Sequence, residues 1–212
     1  MKELYILGSG GFARETYWIV KRINDVNPEW IVRGFIDDNS SNIGNTVDDL
    51  SVIGKSEYLN EIDHQVWCVS AIGSPFIRKC SIEKIKSPLV RFANIIDPSV
   101  KMSNSVTIGE GNIICADSIL TVDIKVGNHV IINLDCTIGH DSVISDYVTI
   151  NPGSNISGND VIGTEVEIGT GTKIIQGKHI INNTVIGAGA VVVKDIDKKG
   201  TYVGVPAKRI EK

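Results

Sequence analysis

From Ile96 to Val192 an apolar residue recurs at every sixth position without interruption. The series is Ile96, Met102, Ile108, Ile114, Leu120, Val126, Ile132, Ile138, Ile144, Ile150, Ile156, Ile162, Ile168, Ile174, Ile180, Ile186 and Val192. In a chain that is 42% apolar, a run of this length has a chance probability of about one in a million or less. Six matches neither the period of about 3.6 of a helix nor the period of about 2 of an amphipathic strand. It fits a parallel β-helix of hexapeptides, each a short strand and a turn, three of which close one triangular coil of about eighteen residues. The second hexad position is often small or polar (Gly109, Gly127, Asn133, Gly139, Asn151, Gly163, Gly169, Gly187), as a tight corner accepts. The fifth is mostly small or β-branched, as a narrow interior requires; Asn112, Asp160 and Lys178 depart from this and predict local turns or outward tilts.

Residues 1–92 read differently and predict a small α/β domain ahead of a β-helical domain over 93–212. Leu4–Leu7 is a short apolar strand leading through a glycine-rich turn into a helical pattern carrying Phe12, Ile19, Val20 and Ile23. A second strand, Ile31–Ile36, ends on Asp37 and Asp38; a third, Val66–Ile72, ends on Gly73, after which Ser74 and Pro75 supply an N-cap and a first-turn proline. The order predicts a small parallel sheet, half of a dinucleotide-binding fold. Asn39–Ser56 is polar and reads as a loop without evident chemistry.

Gly8, Gly10 and Ala13 fit G-x-G-x-x-A, in which glycines let backbone N–H groups approach a pyrophosphate at a helix N-terminus. Asp37 stands 29 positions after Gly8, at the strand end where an acidic residue meets a ribose or sugar hydroxyl in such folds. With room for little more than one mononucleotide half, the unit suits a single nucleotide diphosphate better than NAD. The plain alternative is a glycine turn that packs helix on strand, beside two solvated aspartates.

The 212 residues carry a net charge of −4, which does not suggest a nucleic-acid or anionic-membrane surface. There is no apolar run of the ~20 residues that span a bilayer and no signal-peptide pattern, so a cytoplasmic protein is expected. Cys68, Cys80, Cys115 and Cys136 lie 12, 35 and 21 positions apart, which matches neither zinc spacing nor a compact disulfide framework. Reduced, mostly buried thiols are expected.

Of four histidines, His64 and His179 lie in polar surroundings and are expected at the surface, while His129 and His140 lie within the repeat. His140 is the third residue of Ile138-Gly-His-Asp-Ser-Val143, near a corner where its ring should point outward. Asp141 beside it can fix the imidazole tautomer and raise its basicity. Gly158, eighteen residues on and stacked one coil above, leaves room beside the ring and can offer an N–H to a developing oxyanion. A solvated surface histidine is the plain alternative. A trio of histidines on zinc, as in γ-type carbonic anhydrases, is disfavoured because His179 lies more than two coils from the other two. Lys194, Lys198, Lys199, Lys208, Arg209 and Lys212 make the end of the chain basic, either as a solvated tail or as a rim for a phosphorylated cofactor.

The unbroken hexads, Ile138-Gly-His-Asp-Ser-Val-Ile144 and the closing Gly200-Thr-Tyr-Val-Gly-Val-Pro-Ala-Lys-Arg209 resemble the left-handed β-helix acyltransferases that use acetyl-CoA. Leu7-Gly-Ser-Gly-Gly-Phe-Ala13, Phe35-Ile-Asp-Asp38 and Ala71-Ile-Gly-Ser-Pro-Phe-Ile-Arg78 look like one branch of them, the nucleotide-sugar 4-amino N-acetyltransferases related to sialic-acid O-acetyltransferases. The resemblance implies His140 as general base with Asp141 as its acidic neighbour. It implies nucleotide-sugar contacts at Gly10, Gly11, Phe12, Asp37, Asp38 and Gly73, with Phe12 standing where a histidine is common. It implies acetyl-CoA contacts at Thr149, Thr170 and Ala188; Thr149 and Asp97 each replace a histidine of relatives. Family members are trimers with the cofactor between neighbouring prisms, and no metal is implied.

The expected reaction is acetyl transfer from acetyl-CoA to the 4-amine of a nucleotide-linked 4-amino-4,6-dideoxy sugar, with UDP preferred over dTDP or GDP by analogy. The alternatives are a sialic-acid or other sugar O-acetyltransferase and a non-catalytic nucleotide-sugar-binding scaffold.

Overall fold

The computed structural model describes residues 1–210; Lys212 of the basic end lies outside them. The chain divides into two compact units, the first Met1–Pro98 and the second beginning at Ser99, rather than at 92/93. The difference has a physical cause within the first unit. Ile95 is fully buried, and Asp97 accepts a bidentate pair of hydrogen bonds from Arg22 at 2.7 and 3.1 Å.

In the first unit β1 (Lys2–Leu7), α1 (Gly11–Val26), β2 (Trp30–Ile36), β3 (Thr46–Val47), β4 (Leu50–Gly54), β5 (Val66–Ser70), α2 (Pro75–Ile82) and β6 (Val90–Phe92) follow in order. The sheet order is β3-β4-β2-β1-β5-β6, parallel except for the β3–β4 pair. Buried Leu4, Ile6, Leu7, Phe35 and Val69 read as the apolar runs of a sheet covered by helices, and α1 buries Ala13, Thr16, Ile19 and Val20 on the face that meets β1 and β2. The expected loop 39–56 contains a hairpin. Asp48 and Asp49 both take positive φ (44° and 69°), the backbone of a two-residue type I′ turn, which an Asp-Asp pair signals less clearly than Asn-Gly.

The second unit is a solenoid of two-residue strands whose parallel partners lie eighteen residues apart, as in Ile114↔Ile132, Ile132↔Ile150, Ile150↔Ile168 and Ile168↔Ile186. Three such stacks form the walls of a left-handed β-helix. From Ile114 onward every sixth residue is buried; in the opening coil Ile96 and Ile108 are half-buried and Met102 is 39% exposed, since no coil lies beneath to cover them. A hairpin of Thr201–Val203 and Lys208–Ile210 ends the described chain.

Two corner features differ from expectation. The left-handed backbone sits at the fourth hexad position, with φ of 61° at Asp117, 61° at Asp141, 56° at Asn159 and 74° at Gly177. The N–H groups of Asp141, Asn159 and Gly177 each reach a corner carbonyl of the neighbouring coil, as from Asp141 to Val122 at 3.1 Å and from Asn159 to His140 at 2.8 Å, while that of Asp117 reaches the Ser99 hydroxyl at 2.9 Å. Second-position glycines answer a different need, close approach between coils: a Cβ at Gly139 would stand 2.5 Å from the nitrogen of Gly158. Asn112 and Asp160 do not tilt outward; both are fully buried, each accepting from a backbone N–H eighteen residues on, at 2.7 Å from Val130 and 2.6 Å from Lys178.

Candidate active site

The fourth-position geometry explains why the corner around His140 is built as it is. Asp141 takes the left-handed conformation that aspartate tolerates better than most residues, and this turn brings its carboxylate Oδ2 to 2.7 Å from Nδ1 of His140. A carboxylate can only accept, so Nδ1 carries the proton and Nε2 is left with a free lone pair. The ring is about half exposed and lies against Gly158, where an added Cβ would meet Nε2 and Cε1 at 2.5 Å. The carbonyl of Gly158 is held by the N–H of Gly177 at 2.9 Å, which fixes the corner under the ring.

Eighteen-residue register places Val122, His140, Gly158 and Gln176 in one corner column, and Leu134, Pro152, Thr170 and Ala188 in another. His140 and Gly158 are therefore together, while exposed Thr170 and Ala188 stand on a different edge. Thr149 is 2% exposed, in the wall between Ile131 and Glu167, so its side chain offers no open surface of the kind a cofactor contact needs. His129 is also buried, stacked on Tyr147 with ring centroids 5.1 Å apart; His64 is exposed between Glu3 and Asp63. Among the described residues no cluster of three or more His, Cys, Asp or Glu could hold a metal ion. All four cysteines are thiols outside any disulfide; burial raises the thiol pKa of Cys68 and of Cys136, the latter to about 11.

In the first unit, the glycine turn after β1 opens a cavity of about 380 Å³ lined by Gly8, Ser9, Gly10, Asp37, Asp38, Ser56, Ala71 and Ile77 among others. Gly8 has φ +95°, and a Cβ there would lie 3.2 Å from the carbonyl oxygen of Ala71, so this position requires glycine. Gly10, Gly11 and Gly73 instead face open space. Gly10 caps α1 with no side-chain hydrogen bond, so the first-turn N–H groups of the helix are not covered by a side-chain cap. Phe12 is half-buried at the start of the helix.

The two aspartates are not merely solvated. Asp37 accepts from the Ser9 hydroxyl, from Asn42 Nδ2 at 3.0 Å and from the Asn39 N–H at 2.9 Å. Burial acts to raise its pKa, but these bonds outweigh it and the net shift is downward. Asp38 is bound by the Ser56 N–H and hydroxyl at 2.9 and 2.8 Å, by Ser81 at 3.0 Å and by Lys84 at 2.8 Å. Burial again opposes ionisation, and Lys84, Ser56 and Ser81 overcome it, bringing the pKa to about 2. Asp38 thus anchors the cavity floor, and Asp37 fixes the glycine turn while keeping its oxygens at the cavity wall. Sequence pattern does not single out Ser9, Asn42, Ser56, Ser81 or Lys84; Ser9 and Ser56 follow strand ends closely, while Ser81 and Lys84 lie in and just after α2.

Residues 3–85 match the PglD N-terminal domain family. No curated protein sequence matches the chain. Among solved structures, the acetyltransferase domain of PglB from Neisseria gonorrhoeae FA1090, in complex with acetyl coenzyme A, is 30% identical with a TM-score of 0.88, covering 99% of each chain. A mutant of perosamine N-acetyltransferase from Caulobacter crescentus, in complex with CoA and GDP-perosamine, is 26% identical with a TM-score of 0.90, covering 100% of this chain and 98% of that one. WeeI from Acinetobacter baumannii AYE is 27% identical with a TM-score of 0.88, covering 99% of this chain and all of its own.

Proposed function

The chain belongs to the left-handed β-helix acetyltransferases that carry a PglD N-terminal domain, and from that premise we propose that it moves the acetyl group of acetyl-CoA onto the 4-amine of a nucleotide-linked 4-amino-4,6-dideoxy sugar. The observation that carries this reading is the His140–Asp141 pair, which leaves Nε2 as an exposed base beside Gly158.

In the proposed reaction the neutral amine attacks the thioester carbonyl and Nε2 of His140 takes the proton it releases. Asp141 holds the imidazole in the tautomer that makes this possible and stabilises the imidazolium that forms. The carbonyl oxygen becomes an oxyanion, with the Gly158 N–H as its partner. Collapse breaks the carbon–sulfur bond, and the departing thiolate receives the proton from the imidazolium. Acetyl-CoA would meet His140 on one edge and Thr170 and Ala188 on the other, which favours a cofactor lodged between two copies of the chain and hence a trimer.

For the acceptor, the uncapped first turn of α1 behind Gly10 and Gly11 suits a pyrophosphate, and the Asp37 carboxylate suits a hydroxyl of the nucleoside or sugar. The perosamine enzyme binds a GDP-sugar, so UDP, expected by analogy, is weighed against it directly. A thermal-shift screen of UDP-, dTDP- and GDP-linked 4-amino sugars, followed by a free-thiol assay with acetyl-CoA, tests the reading. A true acceptor at about 100 times its Kd adds about 2.7 kcal/mol of stability and releases CoA. Release only with hydroxyl sugars would make the protein an O-acetyltransferase, and binding without release would make it a scaffold.

A further inference from the structure

Inward-facing fifth-position side chains on more than one wall tie neighbouring coils together, and Asp160 is the one carboxyl among them. The hydroxyls of Ser118, Ser142, Ser154 and Thr172 donate to the carbonyl oxygens of Asn133, Ser157, Gly169 and Gly187 at 2.8 to 3.2 Å, and the thiol of Cys136 reaches that of Asn151 at 3.3 Å. Each of these five donors finds its acceptor fifteen residues ahead, whereas the buried Thr184 hydroxyl at the same hexad position has none. Asp160 occupies the same inward position, is fully buried, and its Oδ2 has no hydrogen-bond partner. By the register of the ladder the carbonyl it faces is that of Ile175, an acceptor, against which an ionised oxygen has nothing to offer.

We propose that Asp160 is a positioning residue that works as an undissociated carboxylic acid: Oδ1 accepts from the Lys178 N–H while Oδ2–H donates to the Ile175 carbonyl, holding the corner that carries Gly158 against His140. Asp160 is two residues after Gly158; its own N–H reaches Ser142 at 3.3 Å, and Ser142 in turn donates to Ser157. Both sides of that corner therefore hang on this inner pair. The chain supplies its own precedent in Asn112, a neutral amide at the same hexad position, fully buried, whose Oδ1 accepts from Val130 as that of Asp160 does from Lys178. Burial raises the Asp160 pKa to about 6 against the opposing pull of Lys178 and of the Ser157 and Gly177 N–H groups, and a bond donated by the neutral form would raise it further. On the flanking coils the side chains of His140, Asp141 and His179 point to solvent, and the Lys178 ammonium turns to the Gly177 carbonyl at 3.2 Å. Loss of the proton would set two oxygens against each other and loosen the corner. The link to catalysis rests on the acetyltransferase reading; the protonation state does not.

The test compares Asp160→Asn, which reproduces the neutral acid, with Asp160→Ala, which does not. An infrared difference spectrum between the native protein and Asp160→Asn should show the C=O band of an undissociated carboxyl, lost as the pH is raised. Asp160→Asn should melt no lower than the native protein at pH 8 and should keep kcat with a flatter alkaline limb. Asp160→Ala should lose about 10- to 100-fold in kcat through misplacement of the corner, with little change in the KM for acetyl-CoA. Absence of the carboxyl band at every pH, or an Asn variant as impaired as the Ala variant, overturns the proposal. A native protein inactive on every sugar tried would defeat the acetyltransferase reading alone, because the infrared band and the melting comparison need no turnover.

Discussion

At the scale of single residues, the corner around His140 separates chemistry from stability. Its ring is about half exposed, so His140→Ala should leave the melting temperature within a degree or two while lowering kcat by about 10²- to 10⁴-fold, the usual worth of a general base. Steady-state kinetics set beside a melting curve check both halves of this expectation, and an unchanged kcat would remove the imidazole from the mechanism. Gly158→Ala makes the complementary case, since its methyl would stand 2.5 Å from the ring. The ring must swing away, so the variant should bind acetyl-CoA yet turn over slowly. His140 and its neighbour were legible in sequence because the hexad register alone places the third position at a corner. The buried state of Thr149 was not, because residues on a flat wall alternate between covered and open according to what packs over them, which no local pattern encodes.

At the scale of elements, the cavity behind β1 depends on Asp38 joining the end of β2 to α2 and to the turn at Ser56. Its carboxyl is depressed from 3.8 to about 2 in the folded state. The unfolded chain therefore binds the proton first, so the stability Asp38 contributes is present above about pH 4 and is lost as pH falls toward 2. Asp38→Asn should flatten this acid limb in chemical denaturation series run between pH 2 and 5, and should cost about 1–3 kcal/mol at neutral pH by leaving donors unmatched. The exit from the first unit has a similar clamp. Asp97 has a fully buried side chain paired with Arg22, itself 4.9 Å over the Trp18 ring. Removing the guanidinium by Arg22→Ala should destabilise the protein by about 3–5 kcal/mol, measurable by urea melts, as expected when a buried carboxylate loses its partner.

At the scale of the whole molecule, the solenoid adds stability coil by coil, each contacting only its neighbours. Ile150→Ala, in mid-solenoid, should cost about 2–5 kcal/mol, whereas Met102→Ala in the open first coil should cost far less; paired denaturation curves distinguish the two. The separate edges bearing His140 and Thr170 carry the expectation of a trimer, which a light-scattering mass of three chains in solution would meet and a monomer with full activity would exclude. Among the described residues no helix is long and apolar enough to cross a membrane.

The sequence alone determined the solenoid, because a six-residue apolar period has one physical solution and every coil repeats it. It also determined the parallel sheet, the glycine turn and the two strand-end aspartates, each being a local rule read over a few residues. Only the tertiary structure decided that Asp37 and Asp38 are held by Ser9, Asn42, Ser56, Ser81 and Lys84, that segment 93–98 stays with the first unit through Arg22, and that Asn112 and Asp160 turn inward. Apart from Asn42, five positions from Asp37, those partners are brought together by chain folding over 18 to 75 positions, the coils contributing their eighteen-residue rise, and across such distances burial and hydrogen-bond demand act while sequence pattern does not.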